Sequence, residues 1–320
     1  MTMEIGNLTS GVATEGVALI KDAQLKTTRT GNPFLALLFA DRTGEISGNL
    51  WDATENQVAQ FKAGVVVELA GQVETYQDQL QFRIQELRLA SPEEGQPEDF
   101  VPRVAETDGE LKDDLRPFLA AIHQVEWATI VNHLFKKYGA PFFNFPAAKV
   151  NHHALVGGLA FHTLSILRLA KNVCDQYPGI NRELLYAGAL LHDMGKVIEL
   201  SGPVATQYTT TGNLLGHISI VDGEIVACCQ EVGLLPTNPQ VVLLRHVILA
   251  HHGLREYGSP VEPELMEAEV LHRLDELDAA ITEINGALEQ TAPGEFSPRQ
   301  FALGRRQFYR LPTGQDTKKA

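Results

Sequence analysis

The residues best suited to chemistry are histidines and aspartates in the second half of the chain. In the segment LLYAGALLHDMGKV, His192 and Asp193 close an apolar run just before Gly195. The run predicts a buried helix that ends at this pair. An ionised aspartate is costly to bury unless a positive group compensates it, and a divalent cation would do so directly. The pair therefore suggests a metal site, although a histidine of the protein core would look the same on its own.

Further imidazoles and a carboxylate follow in order along predicted helices. His162 lies 30 positions before His192, and His217 lies 25 positions after it. The pair His251-His252 comes next, and then Asp275, which lies on the apolar face of a predicted helix and should point inward. Imidazole and carboxylate ligands together suit manganese, iron, cobalt, nickel or zinc rather than calcium. The order of these residues strengthens the metal-site hypothesis.

This succession resembles the HD phosphohydrolase superfamily in its two-metal form. It is closer still to the YhaM family of bacterial 3′-5′ exoribonucleases, in which an OB-fold domain is joined to an HD domain. The segments that carry the resemblance are AAKVNHHALVGGLAFH, LLYAGALLHDMGKVIELSGP, GNLLGHIS, HHG, EAEVLHRLDELDA and PGEFSPRQFALGRRQFY. They recur in order over nearly the whole chain, which makes the resemblance specific.

The resemblance implies two divalent metal ions per chain, with manganese expected first and cobalt, iron, nickel or zinc as alternatives. The first ion would be held by His162, His192, Asp193 and Asp275. Asp193 would bridge to a second ion, which His217 would also hold. Either His251 or His252 would complete that site; His251 is favoured, and His252 would then face the substrate phosphate. Asp193 and His252 are thus expected to be catalytic, with a metal-activated water as the nucleophile.

Residues beside these ligands could contact the substrate. Lys196 follows Asp193 by three residues and could place its ammonium on a phosphate, which would make it catalytic. The alternative is a surface lysine favourably placed at a helix C-terminus. Asn151, His152 and His153 precede the first ligand helix and could contact phosphate or ribose. The alternative there is that Asn151 is a helix N-cap and the two histidines are exposed.

The elements that must position these residues differ between the two ends of the chain. Residues 16–90 form five apolar or alternating runs, with a short polar helix in ATENQVAQFKAG between the third and the fourth. That is the layout of an OB-fold barrel. Residues 111–320 instead repeat apolar residues with the helical period. The expected fold is multidomain: an N-terminal all-β OB-fold barrel in 1–90, an acidic Pro-containing linker in 91–110 and an all-α HD domain in 111–320.

The net charge of −14 argues against a simple nucleic-acid coat protein, which should be basic. Half of that charge lies in one segment, because residues 91–114 hold nine acidic and two basic side chains. Residues 91–108 within it contain three prolines and few apolar residues, so they are expected to bury little apolar surface. The net charge of the chain therefore does not exclude nucleic-acid binding by the domains on either side of this segment.

Two stretches could bind a single strand. OB barrels commonly stack bases on aromatic rings, and Trp51 is the leading candidate for such a ring, with a place in the barrel core as the alternative. Near the C-terminus, the segment FALGRRQFYR interleaves aromatic residues with Arg305 and Arg306 and could line an RNA path. A packed tail with a solvated basic face is the alternative there.

The cellular setting is expected to be the cytoplasm. Cys174, Cys228 and Cys229 form no C-x-x-C pair, and the N-terminus lacks the pattern of a signal peptide. No apolar run is long enough to span a membrane, so no membrane partner is expected. The expected partner is single-stranded RNA, with single-stranded DNA as a second substrate and a homo-oligomer as one outcome for the assembly state.

The expected function is metal-dependent 3′-5′ hydrolysis of single-stranded RNA that releases nucleoside 5′-monophosphates. One alternative is an HD phosphodiesterase of a nucleotide or cyclic dinucleotide. The OB domain and the lack of a Gly-Tyr-Pro tripeptide after the HD pair disfavour it. The other alternative is a single-strand-binding protein with a relic HD fold. The complete set of ligand-type residues disfavours that one.

Overall fold

The computed structural model describes residues 3–28, 30–77, 79–148 and 155–312. The chain divides into two compact units. One reaches from the N-terminus to Arg103 and includes Gly202–Gln207; the other comprises Val104–Ser201 and the chain from Tyr208 onward. The first boundary thus falls inside the segment for which a linker is expected. Among the helices of these described ranges, none combines the length and the apolar character that crossing a bilayer requires.

The first unit is a closed five-stranded barrel. Its elements are strands β1 (Ala13–Thr27), β2 (Pro33–Ala40), β3 (Glu45–Trp51), β4 (Val66–Tyr76) and β5 (Gln79–Leu89), with helix α1 (Glu55–Gln60) between β3 and β4. The strand order around the barrel is β1-β2-β3-β5-β4. Neighbouring strands are antiparallel except β3 and β5, which run parallel and close the barrel. The predicted OB-fold layout is confirmed.

Alternation of side chains along the strands explains the barrel's core. In β2, the sequence PFLALLFA sends Leu35, Leu37 and Phe39 inward, where each is at most 2% exposed. Phe39 meets Phe82 of β5 edge to face, with ring centroids 6.4 Å apart. Helix α1 begins with a capping box, in which Thr54 and Gln57 bond each other's backbone N–H groups. The barrel therefore has an apolar core of its own.

The expected linker contains one buried aromatic residue. Pro97–Phe100 forms a 3-10 turn, and Phe100 is 1% exposed in a small cluster with Val17, Leu19 and Val66. The expectation that residues 91–108 bury little apolar surface is therefore wrong at Phe100. A single aromatic ring on a short turn can cover outward-facing strand residues even when the residues around it are acidic.

The second unit is helical, as predicted. Its helices are α2 (Asp108–Ala120), α3 (Val125–Phe142), α4 (Gly158–Gln176), α5 (Arg182–Leu191), α6 (Lys196–Glu199), α7 (Thr210–Val232), α8 (Pro239–Leu249) and α9 (Met266–Glu289). A 3-10 turn at Arg255–Tyr257 follows α8. After α9 the chain folds back on itself through bridges between Phe296 and Tyr309 and between Gln300 and Arg306.

Helix α5 lies at the centre of this unit. Every residue from Leu184 to Leu191 is buried, as expected for a helix that is apolar on all sides. Helices α4, α8 and α9 pack around it. The residues that directly follow the C-terminal end of α5 therefore lie in the interior of this unit.

Candidate metal centre

The six residues expected to bind metal meet at one place in the helical unit, although they come from distant parts of the chain. His192 and Asp193 follow α5 directly, and the other four are brought to them by the surrounding helices. These are His162 in α4, His217 in α7, His251 just after α8 and Asp275 in α9. Tertiary packing of helices around α5 thus assembles the cluster.

One carboxylate oxygen of Asp193 faces a first group of ligand-type residues. Its Oδ2 lies 3.4 Å from Nε2 of His192 and 3.6 Å from Nε2 of His162. The donor atoms of His162, His192 and Asp193 all lie within 4.8 Å of one another. Oδ1 of Asp275 is 3.1 Å from Nε2 of His162 and so reaches the same group. This arrangement could hold one metal ion.

The other carboxylate oxygen of Asp193 faces a second group. Its Oδ1 lies 3.4 Å from Nε2 of His217 and 3.9 Å from Nε2 of His251. His217, His251 and His252 also have donor atoms within 4.8 Å of one another. The structure therefore places both members of the pair at the second group, so His252 is a candidate ligand as well as a candidate contact of the phosphate.

Hydrogen bonds on one ring nitrogen fix the orientation of each histidine. A backbone carbonyl can only accept, so an Nδ1 bonded to one must carry the proton and leave Nε2 with a free electron pair. Three rings are held in this way: His192 by Ala189 at 2.8 Å, His251 by Ile248 at 2.7 Å and His252 by Tyr257 at 2.9 Å. His162 instead has the carboxylate of Asp278 at 2.7 Å from Nδ1. Nε2 of each ring is thereby left for the centre.

Several polar atoms at this place are buried without a hydrogen-bond partner among the described residues. They are Nε2 of His192, His217 and His251 and Oδ1 of Asp193. Leaving such atoms unpaired is costly, whereas a divalent cation uses their electron pairs as ligands. The donor set therefore fits one or more divalent metal ions.

Asp193 is ionised despite its burial. Burial raises the pKa of this carboxyl, but the nearby Lys196 and His192 outweigh burial and lower the pKa well below its ordinary value. Nζ of Lys196 donates a hydrogen bond to Oδ2 of Asp193 at 2.7 Å. Burial lowers the pKa of Lys196, but Asp193 more than reverses this and raises it. The structure thus brings Lys196 to the centre, as a direct partner of Asp193.

His251 and His162, which lie on opposite sides of the Asp193 carboxylate, differ in charge. Burial, together with neighbouring histidines, lowers the pKa of His251 well below its ordinary value, so the ring is neutral and ready to bind a metal. Burial also disfavours the charged form of His162, but hydrogen bonds to Asp275 and Asp278 overcome this and raise the pKa of His162 to about 10. His162 therefore holds a proton that a metal ion would have to displace.

Of the expected substrate-binding residues, the structure describes Trp51, Arg305 and Arg306, and none of these three is part of this cluster. Trp51 is 58% exposed at the end of β3, and its ring contacts that of Phe34, with centroids 4.8 Å apart and the ring planes tilted by 33°. Arg305 and Arg306 are exposed on the segment after α9, beside Phe301 and Phe308 respectively. Both stretches therefore offer rings or cations to solvent. Asn151, His152 and His153 lie outside the described residues.

Glu199 also belongs to this place, although its residue type and spacing did not single it out. This residue is 8% exposed, and its Oε1 lies 3.1 Å from the backbone N and 3.2 Å from Nδ1 of His217. Burial raises the pKa of Glu199, but the contacts with His217 outweigh it and lower the pKa. A signal was present, since a glutamate within the apolar run KVIEL directly after the His-Asp pair calls for a buried partner.

The chain is similar to known proteins over most of its length. The family model for the HD domain matches residues 159–280. The 3′-5′ exoribonuclease YhaM of Listeria innocua is 42% identical over 300 residues, which are 93% of this chain and 95% of that protein. The protein of the same name from Bacillus licheniformis is 42% identical over 293 residues, 91% of this chain and 93% of its own. A crystal structure of a domain of replication protein A from Methanococcus maripaludis matches 28% of this chain and 97% of its own at 26% identity, with a TM-score of 0.23.

Proposed function

The chain belongs to the YhaM family of 3′-5′ exoribonucleases, and we propose that it removes nucleotides from the 3′ end of single-stranded RNA by metal-dependent hydrolysis. The shared identity extends over both the barrel and the helical unit, so it covers the whole arrangement and not the HD domain alone. Nucleoside 5′-monophosphates are the proposed products, and single-stranded DNA is a proposed second substrate.

The observation that carries the proposal is the position of Asp193 between two groups of ligand-type residues. Because Oδ2 faces one group and Oδ1 the other, a single carboxylate can serve two ions. The proposed ligands of the first ion are His162, His192, Asp193 and Asp275. The proposed ligands of the second ion are Asp193, His217, His251 and His252. Manganese is the proposed metal, since this mixture of imidazoles and carboxylates suits it.

The residues of the chain prepare this centre for phosphodiester hydrolysis. When bound, a pair of metal ions supplies an activated water and neutralises negative charge on the phosphate. Asp193 keeps its negative charge in the interior because Lys196 pairs with it, and charges act strongly where water is excluded. Lys196 is 17% exposed in its side chain, so its ammonium is also within reach of a phosphate that enters. His252, less buried than His251, is the proposed ligand nearest the substrate.

Strand binding is proposed for two further stretches of the chain. The exposed Trp51 could stack a base, and Arg305 and Arg306 could contact phosphates. Asn151, His152 and His153 are proposed to contact phosphate or ribose of the substrate. We place the activity in the cytoplasm, because Cys174, Cys228 and Cys229 are buried free thiols, as is usual in a reducing compartment.

The test uses single-stranded RNA labelled at its 5′ end. With Mn²⁺, a 3′-5′ exonuclease shortens the labelled strand step by step and releases the label in a mononucleotide only at the end. EDTA should stop the reaction, and added Mn²⁺ should restore it. A matched DNA strand measures the preference between RNA and DNA. Full activity after removal of metal, or internal cleavage without stepwise shortening, would contradict the proposed function.

A further inference from the structure

Helix α7 is interrupted immediately before His217. Gly216 has φ 71° and ψ 152°, whereas the rest of α7 is helical. His217 therefore begins a second helical segment, and its backbone N–H is available to a partner outside the helix. Positive φ favours glycine because residues with a Cβ are strained there. The interruption is thus built into the sequence at the position next to a proposed ligand.

The carboxylate of Glu199, at the end of α6, is that partner. The backbone N–H of His217 donates to Oε1 of Glu199 at 3.1 Å, and Nδ1 of the same residue lies 3.2 Å from this carboxylate. His192 and His251 are held differently, by the carbonyl three residues earlier in the chain. The break at Gly216 replaces the regular helical turn that would precede His217. Glu199 lies at Nδ1 of His217, where His192 and His251 each have a backbone carbonyl.

Close backbone contacts keep α6 and α7 in place against each other. A Cβ at Gly195 would lie 2.3 Å from the carbonyl oxygen of His217, and a Cβ at Gly212 would lie 2.2 Å from that of Glu199. Neither position has room for a side chain, so the two segments touch through their backbones. The carboxylate of Glu199 consequently has a defined place relative to His217.

We propose that Glu199 is a positioning residue for the second metal site. It holds the backbone and the ring of His217 at once, and a carboxylate that accepts from Nδ1 directs the electron pair of Nε2 toward Asp193, 3.4 Å away. The inference rests on the proposed two-ion centre. Because the hydrogen bonds that hold His162 and His192 do not involve Glu199, its loss should weaken the second ion and spare the first.

The experiment compares Glu199→Gln with the full-length wild-type protein, both loaded with Mn²⁺. The amide keeps the size of the side chain but removes its negative charge, so its oxygen accepts both hydrogen bonds from His217 more weakly. Titration calorimetry and metal content should show about 10–100-fold weaker binding of the second ion and unchanged binding of the first. Glu267→Gln is the matched control, because Glu267 is also 8% exposed and its Oε1 accepts the N–H of Asn181 at 2.7 Å. It should keep both ions.

A second pair of variants tests the same inference from the other side of the contact. Gly216→Ala leaves Glu199 intact but disfavours the break before His217, so it should also weaken binding of the second ion. Gly233→Ala is its control: Gly233 ends α7 with φ 75°, and no atom lies within 4 Å of a Cβ added at either glycine. This control should lower stability and retain two ions.

The outcomes separate the inference from the proposed function. If the wild-type protein binds fewer than two Mn²⁺ ions, the two-ion centre itself is wrong. If the wild type binds two ions and Glu199→Gln binds both as tightly, the positioning role of Glu199 is wrong while the centre stands. Should Glu199→Gln fail to fold by circular dichroism, the comparison of Gly216→Ala with Gly233→Ala decides in the same way.

Discussion

Nδ1 of His162 donates a hydrogen bond to Oδ2 of Asp278 at 2.7 Å, while the other nitrogen of the ring faces the metal centre. Asp278 lies in α9, one turn after Asp275, whose Oδ1 is 3.1 Å from Nε2 of the same ring. One helix therefore supplies the carboxylates on both sides of His162. The placement of α9 against α4 sets the orientation of this proposed ligand.

Replacement of Asp278 tests this arrangement. Asp278→Asn removes the charge behind His162 without removing a proposed ligand, so binding of the first ion should weaken by about 10–100-fold. Ser165→Ala removes only the hydroxyl that also donates to Asp278 and should have a smaller effect. Mn²⁺ titration of both variants measures the difference. Equal binding by Asp278→Asn and wild type would show that the contact is not needed to orient His162.

Replacement of Asp193 tests the centre itself. Asp193→Asn removes a charge that both proposed ions share, and turnover of RNA should fall by at least about 10²–10³. The control is Asp222→Asn, which breaks an ion pair with Arg245 elsewhere in the helical unit, where the Nε–Oδ1 distance is 2.7 Å. Circular dichroism should show that both variants fold. An Asp193→Asn enzyme with activity near that of the control would exclude a central role for this residue.

Metal binding should release protons. The pKa of His162 is raised to about 10, so the metal-free ring is protonated at neutral pH. A metal ion binds the neutral ring, so below this pKa the first ion displaces about one proton and its affinity rises about tenfold per pH unit. Above pH 10 that dependence should level off. Calorimetry at pH 7.5 in buffers of different ionisation enthalpy counts the protons; uptake, or no release, would contradict the assignment.

Trp51 should matter for long substrates and not for the chemistry. Trp51→Ala removes an exposed ring, and loss of one stacked base at about 1–3 kcal/mol should raise KM for long RNA about 5–150-fold with kcat unchanged. Hydrolysis of bis-p-nitrophenyl phosphate should stay the same. Tyr177→Ala is the control, since Tyr177 is 61% exposed in the helical unit and Trp51 is 58% exposed. All KM values are compared at one salt concentration. Identical KM values for the two variants would argue that the barrel does not hold the strand through Trp51.

Much of the fold follows from local pattern. Alternating residues predict the barrel strands, and the helical period predicts the second unit; both are confirmed. Phe100 was missed because its burial depends on which strand residues lie beneath it, a property that local composition does not contain. The break at Gly216 was missed for a related reason, since a glycine in a helical run is compatible with an unbroken helix.

The sequence by itself determined which residues are candidate metal ligands and in what order they occur along the chain. It could not decide between His251 and His252, because adjacent residues at the end of a helix can turn to one side or to opposite sides. Packing of α7 and α8 brings both rings to His217. Nor could the sequence reveal that Glu199 accepts a hydrogen bond from His217, because 18 residues separate the two and only the contact between α6 and α7 makes them neighbours. The sequence shows which residue types are available for chemistry, whereas the distances between the candidate ligands are set only when the helices pack.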